Sequence, residues 1–168
     1  MQMPMLTKLF EKDDLVHRIR KLQKAGKRIV FTNGCFDILH VGHVRYLSAA
    51  RREGDILVVG LNSDVSVESI KGKNRPIVSQ DQRAEVLAGL SYVDYITLFD
   101  EPDPLKLIQA LRPDVLVKGD DWTEGQIIGA DFVKSKGGRV VRVPVVPGAS
   151  TSQIIKQIIK KYGTGRRV

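Results

Sequence analysis

Five short β-branched or aliphatic runs constrain this chain more than any other feature: Ile29-Val30-Phe31, residues 56–60, residues 93–98, Val115-Leu116-Val117 and residues 140–143. Near-continuous apolar runs of this kind suit strands buried on both faces, as in a parallel sheet. Helical patterns separate them, over residues 41–52, 81–90, 104–111 and 126–136, and a last one covers 151–161. Another precedes the first run, over residues 14–24. It places Leu15, Ile19 and Leu22 on one face and is closed by Gly26. This βαβ alternation predicts an open, mainly parallel five-stranded α/β sheet with helices on both faces. No repeat, low-complexity tract or long linker interrupts it, so residues 1–168 are expected to form one domain, with 1–12 and 163–168 as loose ends.

Ligands in such sheets bind outside the carboxyl ends of the strands, near the point where the strand order reverses. Residues just after strands are therefore the candidates. The first run leads directly into Thr32-Asn33-Gly34-Cys35-Phe36-Asp37-Ile38-Leu39-His40-Val41-Gly42-His43. Neither the dinucleotide fingerprint nor the P-loop pattern is present. The physics is the same, however: a strand, a turn of small residues, then a helix whose first amides can hold an anion. Gly34 and Gly42 allow close backbone approach to a ligand. His40 and His43, three apart at a helix start, face the same way. Two such imidazoles can ligate a metal or donate to phosphate oxygens. A metal site would need further ligands, and the only other histidine is His17 on the upstream helix.

Composition narrows the partners. The 168 residues carry a net charge of +8, which favours acidic partners such as phosphates, nucleotides or nucleic acid. With 42% hydrophobic and 27% charged residues, wholesale disorder is excluded. Charges interrupt every apolar stretch, so no membrane span is expected, and the first residues lack a signal-peptide core. Cys35 is the single cysteine, which forbids an internal disulfide and a cysteine-based zinc cage. A cytoplasmic enzyme fits these facts. Nucleic-acid binding is disfavoured because aromatics make up only 6% and no helix-turn-helix, RRM or zinc pattern occurs. The basic tail, Lys156, Lys160, Lys161, Arg166 and Arg167, reads instead as a favourable helix end with an extension.

Further candidates lie on later loops. Lys71 and Lys73 flank a glycine after the second strand and its short helix, and a solvated basic loop is the plain alternative. Arg83 either holds phosphate bidentately or pairs along its helix. After the fourth run, Lys118 can reach a phosphate, Gly119 permits close approach, and Asp120 and Asp121 either meet ligand hydroxyls or cap the next helix. Trp122 has packing as its plain role. Ser150, Thr151 and Ser152 open the last helix as caps, which still leaves free amides for an anion.

The stretch T-N-G-C-F-D-I-L-H-V-G-H resembles the H-x-G-H signature of the cytidylyltransferase-like nucleotidyltransferases. The resemblance is strongest to the branch that makes ADP-heptose from heptose 1-phosphate. It continues through Asn62-Ser63-Asp64, Lys71-Gly72-Lys73, Arg75-Pro76, Gln82-Arg83, Val93-Asp94, residues 117–121 and Ser150-Thr151-Ser152, from about residue 14 to 161. It implies a Rossmann-like fold, transfer of a nucleotidyl group from ATP to a small phosphorylated sugar, Mg²⁺ held mainly by the triphosphate, no metal site of the protein's own, and a homodimer. His40, His43 and Lys73 would be catalytic. Thr32, Gly34, Cys35, Phe36, Gly42, Gly119, Asp120, Ser150, Thr151 and Ser152 would join them around the nucleotide, and Asp37, Lys71, Arg83 and Lys118 would meet the acceptor. Cys35 has no nucleophilic role in this reading. Two departures stand out: Gly119-Asp120-Asp121-Trp122 is similar to the enzymes that use CTP and glycerol 3-phosphate, whereas no arginine precedes Ser150 as it does in those enzymes. Thr-Asn-Gly-Cys, Lys118 and the Ser-Thr-Ser run favour ATP and heptose 1-phosphate. The pair of histidines speaks against a non-catalytic nucleotide binder. The heptose enzymes are often fused behind a sugar kinase, for which 168 residues have no room.

Overall fold

The computed structural model describes residues 7–163. The outermost parts of both expected loose ends, with Arg166 and Arg167, lie outside the described residues. The elements follow in the order α1 Lys12–Lys24, β1 Ile29–Gly34, α2 Val41–Arg51, β2 Ile56–Asn62, α3 Asp64–Lys71, α4 Gln80–Ala88, β3 Tyr95–Phe99, α5 Leu105–Leu111, β4 Val115–Gly119, α6 Ala130–Ser135, β5 Arg139–Val143 and α7 Thr151–Tyr162. All four strand pairings are parallel, in the order β3-β2-β1-β4-β5. The direction of winding reverses between β1 and β4, so the carboxyl end of that pair is the crevice where ligands bind in such sheets.

Alternation along the strands divides the core into two layers. Val30, Leu57, Val59, Leu61, Ile96, Val115 and Val117 point to one face, where they pack with Leu47 and Ala50 of α2 and Ala84, Leu87 and Ala88 of α4. Ile29, Phe31, Val58 and Leu116 point to the other, against Leu15 and Ile19 of α1, Leu107, Ile108 and Leu111 of α5, and Val133 of α6. The chain therefore builds the doubly covered parallel sheet that its apolar runs predict.

Two boundaries differ from the expected pattern. The helix expected over 126–136 is a short 3-10 turn, Glu124–Gln126, followed by α6. Gly129 breaks it: its φ is 87°, and a Cβ there would lie 2.7 Å from Ile108 Cδ1. A left-handed residue cannot continue a right-handed helix. The first strand-side segment is also tied down rather than loose. Leu9 bridges Ile96, and the Phe10 amide donates to the Ile96 carbonyl at 2.9 Å.

Candidate active site

β1 ends at Gly34, and the chain turns sharply through Phe36, whose φ of 44° is left-handed. His40 then caps α2, its Nδ1 accepting from the Gly42 amide at 3.1 Å. Gly42 is required here because a Cβ would stand 2.8 Å from the His40 ring and 3.3 Å from the Ala149 carbonyl. The His40 and His43 rings stack with centroids 3.9 Å apart and 27° between planes, and Phe36 meets His43 edge-on at 5.2 Å. Burial lowers the basicity of His40. Burial, then the neighbouring His40, pushes His43 down to about 4. Both imidazoles are neutral near pH 7. Because His40 Nδ1 is an acceptor, its single ring proton sits on Nε2, free to donate outward. His43 Nδ1 is buried with no hydrogen-bond partner.

Across the switch point, Lys118 of β4 sends its ammonium to Asn33 of β1, donating to Oδ1 at 2.6 Å and reaching the Asn33 carbonyl at 3.5 Å. Burial lowers this lysine to about 8, opposed by Cys35 and Asp121. The Trp122 ring lies 5.9 Å from the same ammonium. Behind Lys118, the Thr32 and Tyr46 hydroxyls lie 2.6 Å apart and both within reach of the Val117 carbonyl, so that one donates to the other and the second donates to that carbonyl. Burial raises the Tyr46 phenol, so it stays protonated.

The third wall is the start of α7. Ser150 caps it by accepting from the Gln153 amide at 3.2 Å, and the Thr151 hydroxyl donates to the Ile38 carbonyl at 3.4 Å. The N-termini of α2 and α7 thus converge on one cavity of about 400 Å³, whose floor is Asn33, Gly34 and Lys118. An adjoining lobe of about 340 Å³ shares Lys71, His43 and Trp122 with it, and extends to Asp37, Arg75 and Ser152. Hollows of about 490 and 590 Å³ lie elsewhere. The first is at the opposite end of the strands, where Asp55 and Asp114 are engaged by the Arg28 and Ile29 amides. Chemistry in a sheet of this topology belongs at the carboxyl end, and only that end assembles histidines, lysines and two helix N-termini.

Of the residues singled out from sequence, Gly34, Cys35, Phe36, His40, Gly42, His43, Lys71, Lys118, Gly119, Ser150 and Thr151 line the main cavity, and Ser152 lines the side lobe. Five others are placed differently from expectation. Thr32 is fully buried and its hydroxyl is consumed by Tyr46 and Val117. Arg83 is 1% exposed, so it offers nothing to a phosphate; it donates to the carbonyls of Val78, Cys35 and Asn62 and to Asp64 Oδ1. Asp37, 3% exposed, accepts from Arg75 Nε at 2.5 Å and from the Ile77 and Val78 amides. Burial alone would raise that carboxyl, but these donors together hold it below the usual range. Asp120 turns away to accept from the Val145 amide at 3.1 Å. Lys73 is exposed on the loop beyond α3 and lines neither lobe.

Reasoning from sequence assigned no role to Asn33, Tyr46 or Arg75 and gave Trp122 only packing; for Asp121 it left ligand contact and helix capping open, and that residue lines the cavity. Trp122 is 46% exposed at the mouth and is not core. Asn33 carried a signal, since it sits in the same turn as the glycines; Tyr46 carried none. The Cys35 thiol is pushed up by burial despite three nearby cations, which suits a packing role.

The profile of the cytidylyltransferase-like family matches residues 31–158. The chain is 54% identical over 143 residues to the bifunctional protein HldE of Syntrophotalea carbinolica, covering 85% of this chain and 29% of that protein. It is 55% identical over 146 residues to HldE of Methylobacillus flagellatus, covering 87% and 30%. The chain thus spans about a third of the length of these curated relatives. The crystal structure of the lipopolysaccharide core biosynthesis protein from Thermoplasma volcanium superposes with a TM-score of 0.62 at 31% identity, over 72% of this chain and 99% of that one. The matched segment begins within β1 and ends within α7, and so takes in the histidine turn, the Lys118 strand end and the Ser150 cap together: the chain belongs to the cytidylyltransferase-like family.

Proposed function

We propose that this chain is a nucleotidyltransferase that moves AMP from ATP to heptose 1-phosphate, giving ADP-heptose and pyrophosphate. The observation that carries the reading is the convergence of the neutral His40–His43 pair, two helix N-termini and the Lys118 ammonium on one cavity. A match to about a third of proteins named bifunctional fits a unit holding one of their two activities.

The chemistry needs no protein nucleophile. An oxygen of the acceptor phosphate attacks the α-phosphorus, the new phosphoanhydride bond forms, and the bond to the β-phosphate oxygen breaks with its electron pair leaving on pyrophosphate. The protein's work is in-line positioning and stabilisation of charge on the transferring group. His40 Nε2–H and the first amides of α2 point at that charge. The free amides at the start of α7 suit the departing phosphates. Lys71 and Lys118 neutralise the acceptor side. Lys73 stands outside the cavity lining, so a contact with the triphosphate would require that exposed loop to move.

Among the described residues no group of three or more His, Cys, Asp or Glu side chains converges. Asp121 is the one carboxylate lining the main cavity. This donor set fits a divalent ion that arrives with the triphosphate and keeps water in its shell. When bound, Mg²⁺ would supply charge neutralisation on the leaving pyrophosphate. We read residues 1–168 as one nucleotidyltransferase domain acting in the cytoplasm as a homodimer. Among the described residues no helix is long and apolar enough to cross a membrane.

A second reading, CTP with glycerol 3-phosphate, is favoured by Asp121 and Trp122 at the mouth. Pyrophosphate release with Mg²⁺ present, crossing ATP and CTP against heptose 1-phosphate and glycerol 3-phosphate, separates the two. Turnover with ATP and heptose 1-phosphate is expected; turnover only with CTP would overturn the adenylyl reading.

A further inference from the structure

Lys118 is half-buried where two open lobes meet, and an ammonium partly withdrawn from water gains from an anion that completes it. Among the described residues no carboxylate forms an ion pair with it, and its only strong partner is the neutral amide oxygen of Asn33. The two residues stand at the ends of β1 and β4, the central strands on either side of the switch point. Both line both lobes of the cavity, which places the ammonium where the lobes meet.

The geometry points to Asn33 as a positioning residue that holds the Lys118 ammonium at the junction of the two lobes, where the pair receives the phosphate oxygen shared between donor and acceptor. This rests on the nucleotidyl-transfer reading and deepens it by one residue. An extended lysine has four rotatable bonds and no intrinsic reason to stop at that point. The Asn33 oxygen, 2.6 Å away, supplies the stop. Its neutrality also matters. A carboxylate at the same place would hold the lysine equally well but would cancel the charge meant for the phosphate.

The same arrangement makes phosphate binding proton-linked. The titratable groups that line the two lobes with Lys118 are Cys35 and Asp37 from the turn after β1, His40 at the cap of α2, His43 and Tyr46 from α2, Lys71 at the end of α3, Arg75 from the loop beyond it, and Asp121 from the loop after β4. Partial removal from water pushes the Lys118 ammonium down to about 8 in the free protein, with Cys35 and Asp121 opposing the shift. Only the protonated form attracts a phosphate, so kcat/KM for the sugar phosphate falls as pH rises through about 8. Removing the Asn33 acceptor lowers the stability of the charged form and moves this limb to lower pH. A carboxylate at position 33 moves it to higher pH.

The test is a pH series of kcat and KM for the wild type, Asn33→Ala, Asn33→Asp and Lys118→Met, with a thermal melt of each. Asn33→Ala is expected to reduce kcat/KM about tenfold at neutral pH, the effect of one lost charge-assisted hydrogen bond. Its alkaline limb should shift downward and that of Asn33→Asp upward, while Lys118→Met loses the limb altogether. A merely structural Asn33 would lower the melting temperature without moving the limb. Unchanged limbs in both Asn33 variants would overturn the proposal. Calorimetric binding of inorganic pyrophosphate at pH 7 and pH 9 keeps the two readings apart. If the wild type turns over no nucleotide yet binds pyrophosphate more weakly at pH 9, in an Asn33-dependent manner, the transfer reading fails and the anion pair stands. Binding that is independent of both pH and Asn33 would overturn the pair.

Discussion

At the residue scale, the histidine pair works by staying uncharged near pH 7. His43 is the clearest case, since burial and a stacked neighbour hold it near 4 while an exposed histidine titrates near 6.5. A histidine whose folded value is depressed stays neutral in the native protein and takes up a proton on unfolding. Its effect on stability is therefore constant above about pH 6.5 and becomes increasingly unfavourable to folding as pH falls toward 4, by at most about 3 kcal/mol. Asp37 adds a separate acid limb, because its depressed carboxyl must be protonated in turn. Urea melts between pH 7 and 4 should show the decline, and His43→Ala should flatten its upper part while reducing turnover at least a hundredfold. An unchanged acid profile in that variant would mean that His43 is not buried neutral.

At the element scale, α2 and α7 are brought together through close packing at Gly42. The sequence pattern gives this glycine close approach to a ligand, and its missing side chain also leaves space for the His40 ring and the Ala149 carbonyl. Gly42→Ala should retain the fold, since alanine favours helices, but displace the His40 ring that caps α2 and thereby the donor aimed at the cavity. A fall of at least tenfold in kcat with a melting temperature within a few degrees of wild type is the expected pair of results. The break at Gly129 shows the converse. The apolar spacing over 126–136 is compatible with a helix, and a backbone conformation set by packing on Ile108 overrides it.

At the scale of the whole molecule, Arg83 ties its own helix start and the loop before it to two distant segments, the turn after β1 and the junction of β2 with α3. Its removal leaves buried carbonyls without donors as well as Asp64 without its partner. Arg83→Leu is therefore expected to destabilise the protein by about 3 kcal/mol, read from the urea midpoint. Had Arg83 met the acceptor, the same change would instead raise KM with the midpoint unmoved. The doubly wound sheet, the strand order of events along the chain and the place of the histidine turn are all legible in hydrophobic period and glycine spacing, because each depends on residues close in sequence. Tyr46 and Arg75 were illegible because each acquires its role from a partner in another strand or loop, Val117 and Asp37 respectively; Asn33 was legible as part of the turn after β1, but its bond to Lys118 of β4 was not.

The sequence by itself determined that this chain builds a parallel α/β sheet with an anion-binding turn after β1, since apolar periodicity and local turn chemistry act over a few neighbouring residues. Only the tertiary structure decided which polar side chains remain available to a ligand. Thr32, Asp37 and Arg83 looked as accessible as His40 and Lys118, but buried donors and acceptors must find partners, and those partners come from segments tens of residues away.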